Sequence, residues 1–270
     1  MSFHLYDSHN HLQDAPLTPH LDGILRELDQ QGVVKMVVNG TQEADWPAVL
    51  ELTKKNSKVI PCFGLHPWYV AQRSANWQSH LLQHLEQVPA GIGEIGLDRW
   101  IEGYDSPQQE EVFIWQLRLA AERNLPVSIH CLRAWGRLLE LLQQEPRPEC
   151  GFLLHSYGGP QEMIESLAKL GAYFSISGYF AQERKGKQQE IFRHVPRERL
   201  LIETDAPDML PPEKYVDFPL IDESSGKSIN HPANIGAVYR FVAELLNEPI
   251  EVVAQRTEEN FQRLFGSLQK

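Results

Sequence analysis

Apolar and polar positions follow two rhythms along the chain. Short apolar, β-branched runs recur at "VKMVVNG" (34–40), "KVIPCFGLH" (58–66), "AGIGEIGL" (90–97), "PVSIH" (126–130), "GFLLHS" (151–156), "AYFSISG" (172–178) and "RLLIETD" (199–205), and the opening "FHLY" makes eight. Stretches with a 3.6-residue period lie between them, among them "LDGILRELDQQG", "QEEVFIWQLRLAAERN" and "GGPQEMIESLAKLG". Strand and helix alternate throughout. Regular βα alternation predicts a parallel sheet, and eight units in this length predict closure into an α/β barrel of the (β/α)8 TIM type. The expected layout is one domain over residues 1–270, with its active site at the carboxyl ends of the strands. No GxGxxG follows the first strand, which argues against a dinucleotide-binding sheet. From Ala206 to Pro232 no helical period is visible, and a loop of that length on the rim beside the last strand is placed to shape a pocket.

Composition adds limits rather than detail. With 42% apolar and 23% charged residues, the chain belongs with ordinary globular proteins and not with disordered or fibrous ones. No apolar run is long enough to span a membrane and no basic segment precedes an apolar one at the start, so a cytoplasmic protein without membrane attachment is expected. Cys62, Cys131 and Cys150 are odd in number and lack CxxC spacing, which predicts reduced, structural thiols. A net charge of −11 repels a polyanion at long range, so a nucleic-acid partner requires a local basic patch or a bound metal. Nothing in the exterior argues for a dimer, and a monomer is the default.

The candidate chemistry begins at "YDSHNHL". On an extended strand Asp7, His9 and His11 share a face. His66 ends the third run, Glu94 lies in the fourth, His130 ends the fifth, His155 the sixth and Asp205 the eighth. In a parallel barrel every carboxyl end opens onto one face, so these groups converge. Imidazoles with carboxylates suit zinc, manganese or related divalent ions, whereas an all-oxygen set suits magnesium or calcium. The donors exceed the needs of one tetrahedral ion. Two ions sharing a bridging carboxylate fit the count, and such a pair clamps the attacking and leaving oxygens of an ester. Hydrolysis by an activated water is implied, with Asp205 as the carboxylate that takes or shuttles its proton. His66 and Arg133 are placed to hold an anionic group such as phosphate, and Trp68, Trp135 and Tyr157 to stack on a ring.

The segments "LYDSHNHL", "GLHPW", "GEIGLD", "PVSIHCLRA", "LLHSYGG", "VPRERLLIETDAP" and "ENFQRLFG" together resemble the TatD family of metal-dependent hydrolases, within the amidohydrolase-like barrels, over nearly the whole chain. The resemblance implies one ion on His9, His11 and Asp205, a second on His130 and His155, and Glu94 bridging them; zinc, manganese and magnesium are the candidate ions, since affinity order and working metal need not coincide. It also implies catalytic roles for Asp205 and Glu94. Family relatives include metal-dependent DNases, so a phosphodiesterase acting on single-stranded nucleic acid is the leading expectation. An amide, carboxylic-ester or aminoacyl-ester hydrolase is the alternative, and a non-catalytic metal-binding scaffold ranks below both. The chain departs from the family pattern at Gln13, where Asp or Asn is usual, at Leu132, where an arginine is usual and Arg133 follows instead, and at Arg99, where an aromatic is common.

Overall fold

The structure, a computed structural model, describes residues 3–269. Eight parallel strands, β1 Leu5–Asn10, β2 Val33–Asn39, β3 Val59–Phe63, β4 Gly91–Asp98, β5 Val127–Leu132, β6 Phe152–Leu154, β7 Ala172–Ser177 and β8 Leu200–Glu203, pair in chain order. Contacts between β8 and β1 bring the ends of the sheet together. The Asp205 N–H donates to the His9 carbonyl at 3.0 Å and the His11 N–H to the Ala206 carbonyl at 2.8 Å. The Ser8 hydroxyl donates to the Ile202 carbonyl at 2.9 Å. The expected α/β barrel is the observed one.

Each strand is followed by helical structure on the outside: α1 Leu21–Gln31, α2 Trp46–Lys55, α3 Trp77–Leu85, α4 Ser106–Arg123, α5 Trp135–Gln144, α6 Ile164–Lys169, α7 Gly186–Arg193 and α8 Ile235–Leu246, with α9 Ile250–Phe265 last. Helix α4 shows how the sequence sets these elements. Asp105 caps its start by accepting the Gln108 N–H at 3.0 Å, Pro107 occupies its first turn, and Asn124 in the left-handed region ends it. Its buried face carries Val112, Phe113, Leu117 and Ala120, but also two buried glutamines. Gln116 bonds the Leu65 N–H at 2.8 Å and the Leu65 carbonyl at 3.2 Å. Gln109 does the same to Asp98, at 2.9 Å both ways. Two strand-end segments are thereby fixed to one helix, which positions the residues they carry.

The amino-terminal mouth of the barrel is closed by α9. Phe261, Leu264 and Phe265 pack against Tyr6, Val37, Ile60, Leu153, Tyr173 and Leu201, and burial of each such aromatic side chain stabilises the fold by about 1.5–3 kcal/mol. Asn260 ties the helix down by donating to the Arg197 and Leu200 carbonyls at 2.8 Å. With this end plugged, the carboxyl ends form the open face.

The segment 206–232 lacks an α-helix, as its sequence predicts, and instead holds short 3-10 turns and a two-stranded hairpin, β9 Leu220–Ile221 with β10 Ser228–Ile229. Asn230 anchors it beside the open face, its side chain donating to the Thr204 carbonyl at 2.9 Å. Among the described residues no helix is long and apolar enough to cross a membrane.

Candidate metal centre

Strand β4 determines where the central carboxylate sits. Its register with β5 slips between Ile92 and Ile95, and Gly96, at φ +155°, passes so close that a Cβ there would lie 2.0 Å from the His130 carbonyl oxygen. Only glycine permits that approach. A Cβ on Gly93 would likewise meet Asn39 Oδ1 at 2.8 Å. Flanked by these two glycines, Glu94 points into the barrel mouth and is almost fully buried.

Around Glu94 the imidazoles fall into two groups. Its Oε2 lies 3.4 Å from His9 Nε2 and 3.3 Å from His11 Nε2, and Asp205 Oδ1 lies 3.5 Å from both of those nitrogens. Its Oε1 lies 2.8 Å from His155 Nε2 and 3.1 Å from His130 Nδ1, with His66 Nε2 at 3.5 Å. The donor sets His9, His11, Asp205 and His66, Glu94, His130 each gather their ligand atoms within metal-holding distance. The seven side chains expected to converge do meet. Asp7 does not join them. The β1 register slips between Asp7 and Asn10, and the Asp7 carboxylate is instead taken by the Thr204 N–H at 3.0 Å, the Thr204 hydroxyl at 2.6 Å and the Asn10 amide at 3.0 Å.

The far nitrogens determine what the near ones offer. His11 Nδ1 faces the Asn39 carbonyl at 2.9 Å, so it carries the hydrogen and Nε2 presents a lone pair inward. His130 Nε2 faces Asp98 Oδ2 at 3.0 Å, which leaves its Nδ1 as the lone pair toward Glu94. His9 Nδ1 meets Ser128 Oγ at 2.7 Å. The nitrogens that converge are unshared with any donor: His9 Nε2 and His11 Nε2 stand 3.3 Å apart, His130 Nδ1 and His155 Nε2 3.2 Å apart. Lone pairs and carboxylate oxygens crowded in this way require positive charge between them, and the donor chemistry fits divalent transition ions. His155 Nδ1 is buried without a hydrogen bond, its nearest carboxylate being Glu203 Oε1 at 3.8 Å.

Titration of the cluster follows the same demand. Burial alone would raise Glu94, yet His155 and His66 beside it, with hydrogen bonds from His11 and His130, pull its carboxyl well below the usual range. Burial opposes charge on His11, but Asp205 and Glu94 lift it well above the usual imidazole range, and Glu94 and Glu203 do the same for His155. Asp205 is held down against burial by His11, His155 and His9. Protons stand in these shifts for the charge that an ion would bring.

His66 differs from the other imidazoles. Its Nδ1 accepts the Trp68 N–H at 3.2 Å, so the hydrogen sits on Nε2, the atom facing Glu94. Burial pushes its pKa down to about 4, and it is neutral above that. It is a hydrogen-bond donor to the cluster rather than a lone pair, and it lies three residues beyond the end of β3 rather than in it.

The groups expected to meet substrate are divided. Arg133, at φ +54°, is exposed and lines a cleft of about 550 Å3 that opens beside His130, His155 and Asp205. Leu132, in the place where an arginine was expected, lines the same cleft. Tyr157 does not reach it: Ser156, at φ +41°, turns the chain so that the tyrosine drops into the core, its hydroxyl donating to the Pro160 carbonyl at 2.8 Å and its ring against Trp135 and Phe174. The stacking role expected of Tyr157 is thereby corrected to a packing one. Trp68 stands at the rim, its indole N–H donating to Asp98 Oδ2 at 2.7 Å. Arg99 turns toward Glu110 on α4 and not into the cleft. Gln13 donates to the Asn39 carbonyl at 2.8 Å, the acceptor it shares with His11.

Asp98, Ser128 and Glu203 were not singled out in the sequence: Ser128 and Glu203 lie beneath the donor cluster, and Asp98 lies on its outer side, two residues past Gly96, the β4 partner of His130. Glu203 is fully buried and accepts the Ser156 N–H at 2.7 Å and the Ser156 hydroxyl at 2.5 Å, besides a bond from Ser175. Period-two spacing carried the signal for Ser128, which precedes His130 by two positions within β5 and so lies one layer deeper on the same face; Asp205 lies beyond the end of β8 with φ +55°, so alternation does not reach from it back to Glu203.

A closed βα barrel whose strand ends gather imidazoles around a shared carboxylate defines a metal-dependent hydrolase. The chain belongs to the family of TatD related DNases, whose model matches residues 6–266. It is 29% identical over 269 residues to the 3'-5' ssDNA/RNA exonuclease TatD of Shigella flexneri serotype 5b (strain 8401), covering 97% of this chain and 99% of that protein. It is also 29% identical over 263 residues to the uncharacterized metal-dependent hydrolase YjjV of Escherichia coli (strain K12), covering 96% and 97%. The crystal structure of YjjV, a TatD homologue from Escherichia coli K12, matches with a TM-score of 0.87 at 28% identity, over 97% of this chain and 98% of that one.

Proposed function

We propose that this chain is a two-ion phosphodiesterase acting on nucleic acid. The observation that carries the reading is the Glu94 carboxylate, whose two oxygens face separate pairs of imidazoles, Oε2 toward His9 and His11 and Oε1 toward His130 and His155. One carboxylate divided in this way suits a bridge between two ions better than a ligand to one. His9, His11 and Asp205 would hold the first ion and His130 with His155 the second, each sharing Glu94. No donor of the set is missing, which a scaffold that had lost catalysis would be expected to show.

Bound divalent ions supply a water acidified to near neutral pH and positive charge for the phosphoryl oxygens. The chain supplies the rest. Asp205, ionised because its neighbouring imidazoles hold it so, would take the proton of the attacking water. His66 offers its Nε2–H from the side of the cluster facing away from Asp205, where it steadies Glu94 and an oxygen of the phosphate. Arg133 at the cleft mouth adds a fixed positive charge. The relatives named as exonucleases of single-stranded DNA and RNA support a phosphodiester over a carboxylic ester.

The test is removal and restoration of metal. Chelated protein should be inactive, and zinc, manganese or magnesium should restore cleavage of bis(p-nitrophenyl) phosphate and of single-stranded DNA. Restored turnover of p-nitrophenyl acetate alone would replace the phosphodiester reading with the ester one.

A further inference from the structure

The cleft beside the metal centre continues past Arg133 along the segment that follows β7. Its wall there carries Arg184, Lys185 and Lys187, and Asp205 is the only carboxylate among its lining residues. In a chain with 36 acidic and 25 basic residues, cations without partners are worth noting. Among the described residues none of Arg133, Arg184, Lys185 or Lys187 has a carboxylate within ion-pairing distance, whereas Arg137, Arg197, Arg240 and Arg256 all do. Two of the unpaired cations are held in place by Tyr179. The Arg184 guanidinium lies 5.3 Å from the ring centre and donates to the Tyr179 hydroxyl at 2.9 Å, while Lys185 Nζ lies 4.6 Å from the same centre. Trp100 also lines the cleft, with 59% of its surface exposed. Its backbone N–H is fixed by Asp98 Oδ1 at 2.6 Å.

We propose that this extension is a strand-binding subsite for single-stranded nucleic acid, with backbone phosphates against Arg184, Lys185 and Lys187 and a base stacked on Trp100. The inference rests on the phosphodiesterase reading and adds where the rest of the strand lies. Unpaired cations on one cleft wall answer the repulsion that a net charge of −11 would otherwise impose on a polyanion. An exposed indole beside them stacks on an unpaired base and has no face to offer a base already stacked in a duplex.

The experiment compares the restored enzyme with the double variant Arg184→Glu/Lys187→Glu, with Trp100→Ala, and with Lys169→Ala on the remote helix α6. For each, kcat/KM is measured on a labelled single-stranded 12-mer and on bis(p-nitrophenyl) phosphate. The ratio of the two should fall at least about tenfold in the double variant and about tenfold in Trp100→Ala, base stacking having that order of strength, and should hold in Lys169→Ala. The salt dependence of strand binding, read by fluorescence anisotropy, should flatten by roughly 0.7 in slope for each cation removed. An unchanged ratio and slope would overturn the subsite, as would equal binding of a blunt duplex. Anisotropy also separates the two readings. Wild type that turns over neither substrate, yet binds the strand and loses binding in the double variant, would refute the phosphodiesterase and keep the subsite.

Discussion

Asp98 accepts the His130 Nε2–H at 3.0 Å through the same oxygen, Oδ2, that accepts the Trp68 indole N–H. Its other oxygen accepts the Trp100 and Ile101 N–H groups. Every atom of this carboxylate therefore faces donors, and an amide in its place must turn an NH2 toward one pair of them. Asp98→Asn should leave the fold intact and weaken metal binding by about 10–100-fold, because His130 loses the bond that fixes its tautomer. Calorimetric titration of metal-free protein checks this; wild-type affinity would mean that His130 is not a ligand or needs no such support.

Gly96 couples the barrel to the site. An alanine Cβ would stand 2.0 Å from the His130 carbonyl, a backbone atom that cannot move aside without shifting β5. Gly96→Ala should cost about 3 kcal/mol or more, at the upper end of overpacking effects, and should displace both Glu94 and His130. Urea unfolding measures the loss, and a change below about 0.5 kcal/mol would mean the strands separate more easily than their pairing implies.

His66 and His130 lie with ring centres 4.5 Å apart and should respond differently to substitution. The hydrogen on His66 Nε2 makes it a donor, so His66→Gln should retain the metal content of wild type and lower kcat by about 10²-fold or more. His130→Ala should lose metal. Elemental analysis of both purified variants distinguishes them, and metal loss in His66→Gln would return His66 to the ligand set.

His231 gives the fold a pH dependence remote from the metals. It is buried under Phe218 and caps the following turn by accepting the Ala233 N–H at 3.0 Å, while its Nε2 faces Glu27 Oε2 at 2.9 Å; burial, with His20 nearby, outweighs that carboxylate and pushes its pKa down to about 4. A histidine depressed in the folded state takes up its proton more readily when unfolded. Its contribution is therefore present above about pH 6.5 and is lost as pH falls from there toward 4. His231→Asn keeps a capping acceptor and removes the titration. Thermal melts should show wild type losing more stability than the variant between pH 6.5 and 4; parallel losses would assign the acid sensitivity elsewhere.

The convergence of the donor residues was legible in the sequence because its logic is topological: parallel strands of a barrel bring every carboxyl end to one face, so His9, Glu94, His130 and Asp205 could be gathered without coordinates. Tyr157 was misplaced because its direction depends on a single left-handed residue, Ser156, that no propensity marks. Asp7 shows the limit of strand alternation, since one slip in β1 separated it from the two histidines it precedes. The basic wall at Arg184, Lys185 and Lys187 was written plainly as "ERKGK" after the seventh strand, but a short charged run in a loop is ordinarily solvated. Its meaning comes from the cleft it faces.

The central claim is that one carboxylate divides its oxygens between two ions, and counting ions tests it directly. Metal-free wild type and Glu94→Gln, titrated with manganese and with zinc by calorimetry, should differ: wild type should take up two ions per chain, and Glu94→Gln should bind both far more weakly with its fold retained. One ion per chain at saturation in the wild type, or two ions bound undiminished by Glu94→Gln, would contradict it.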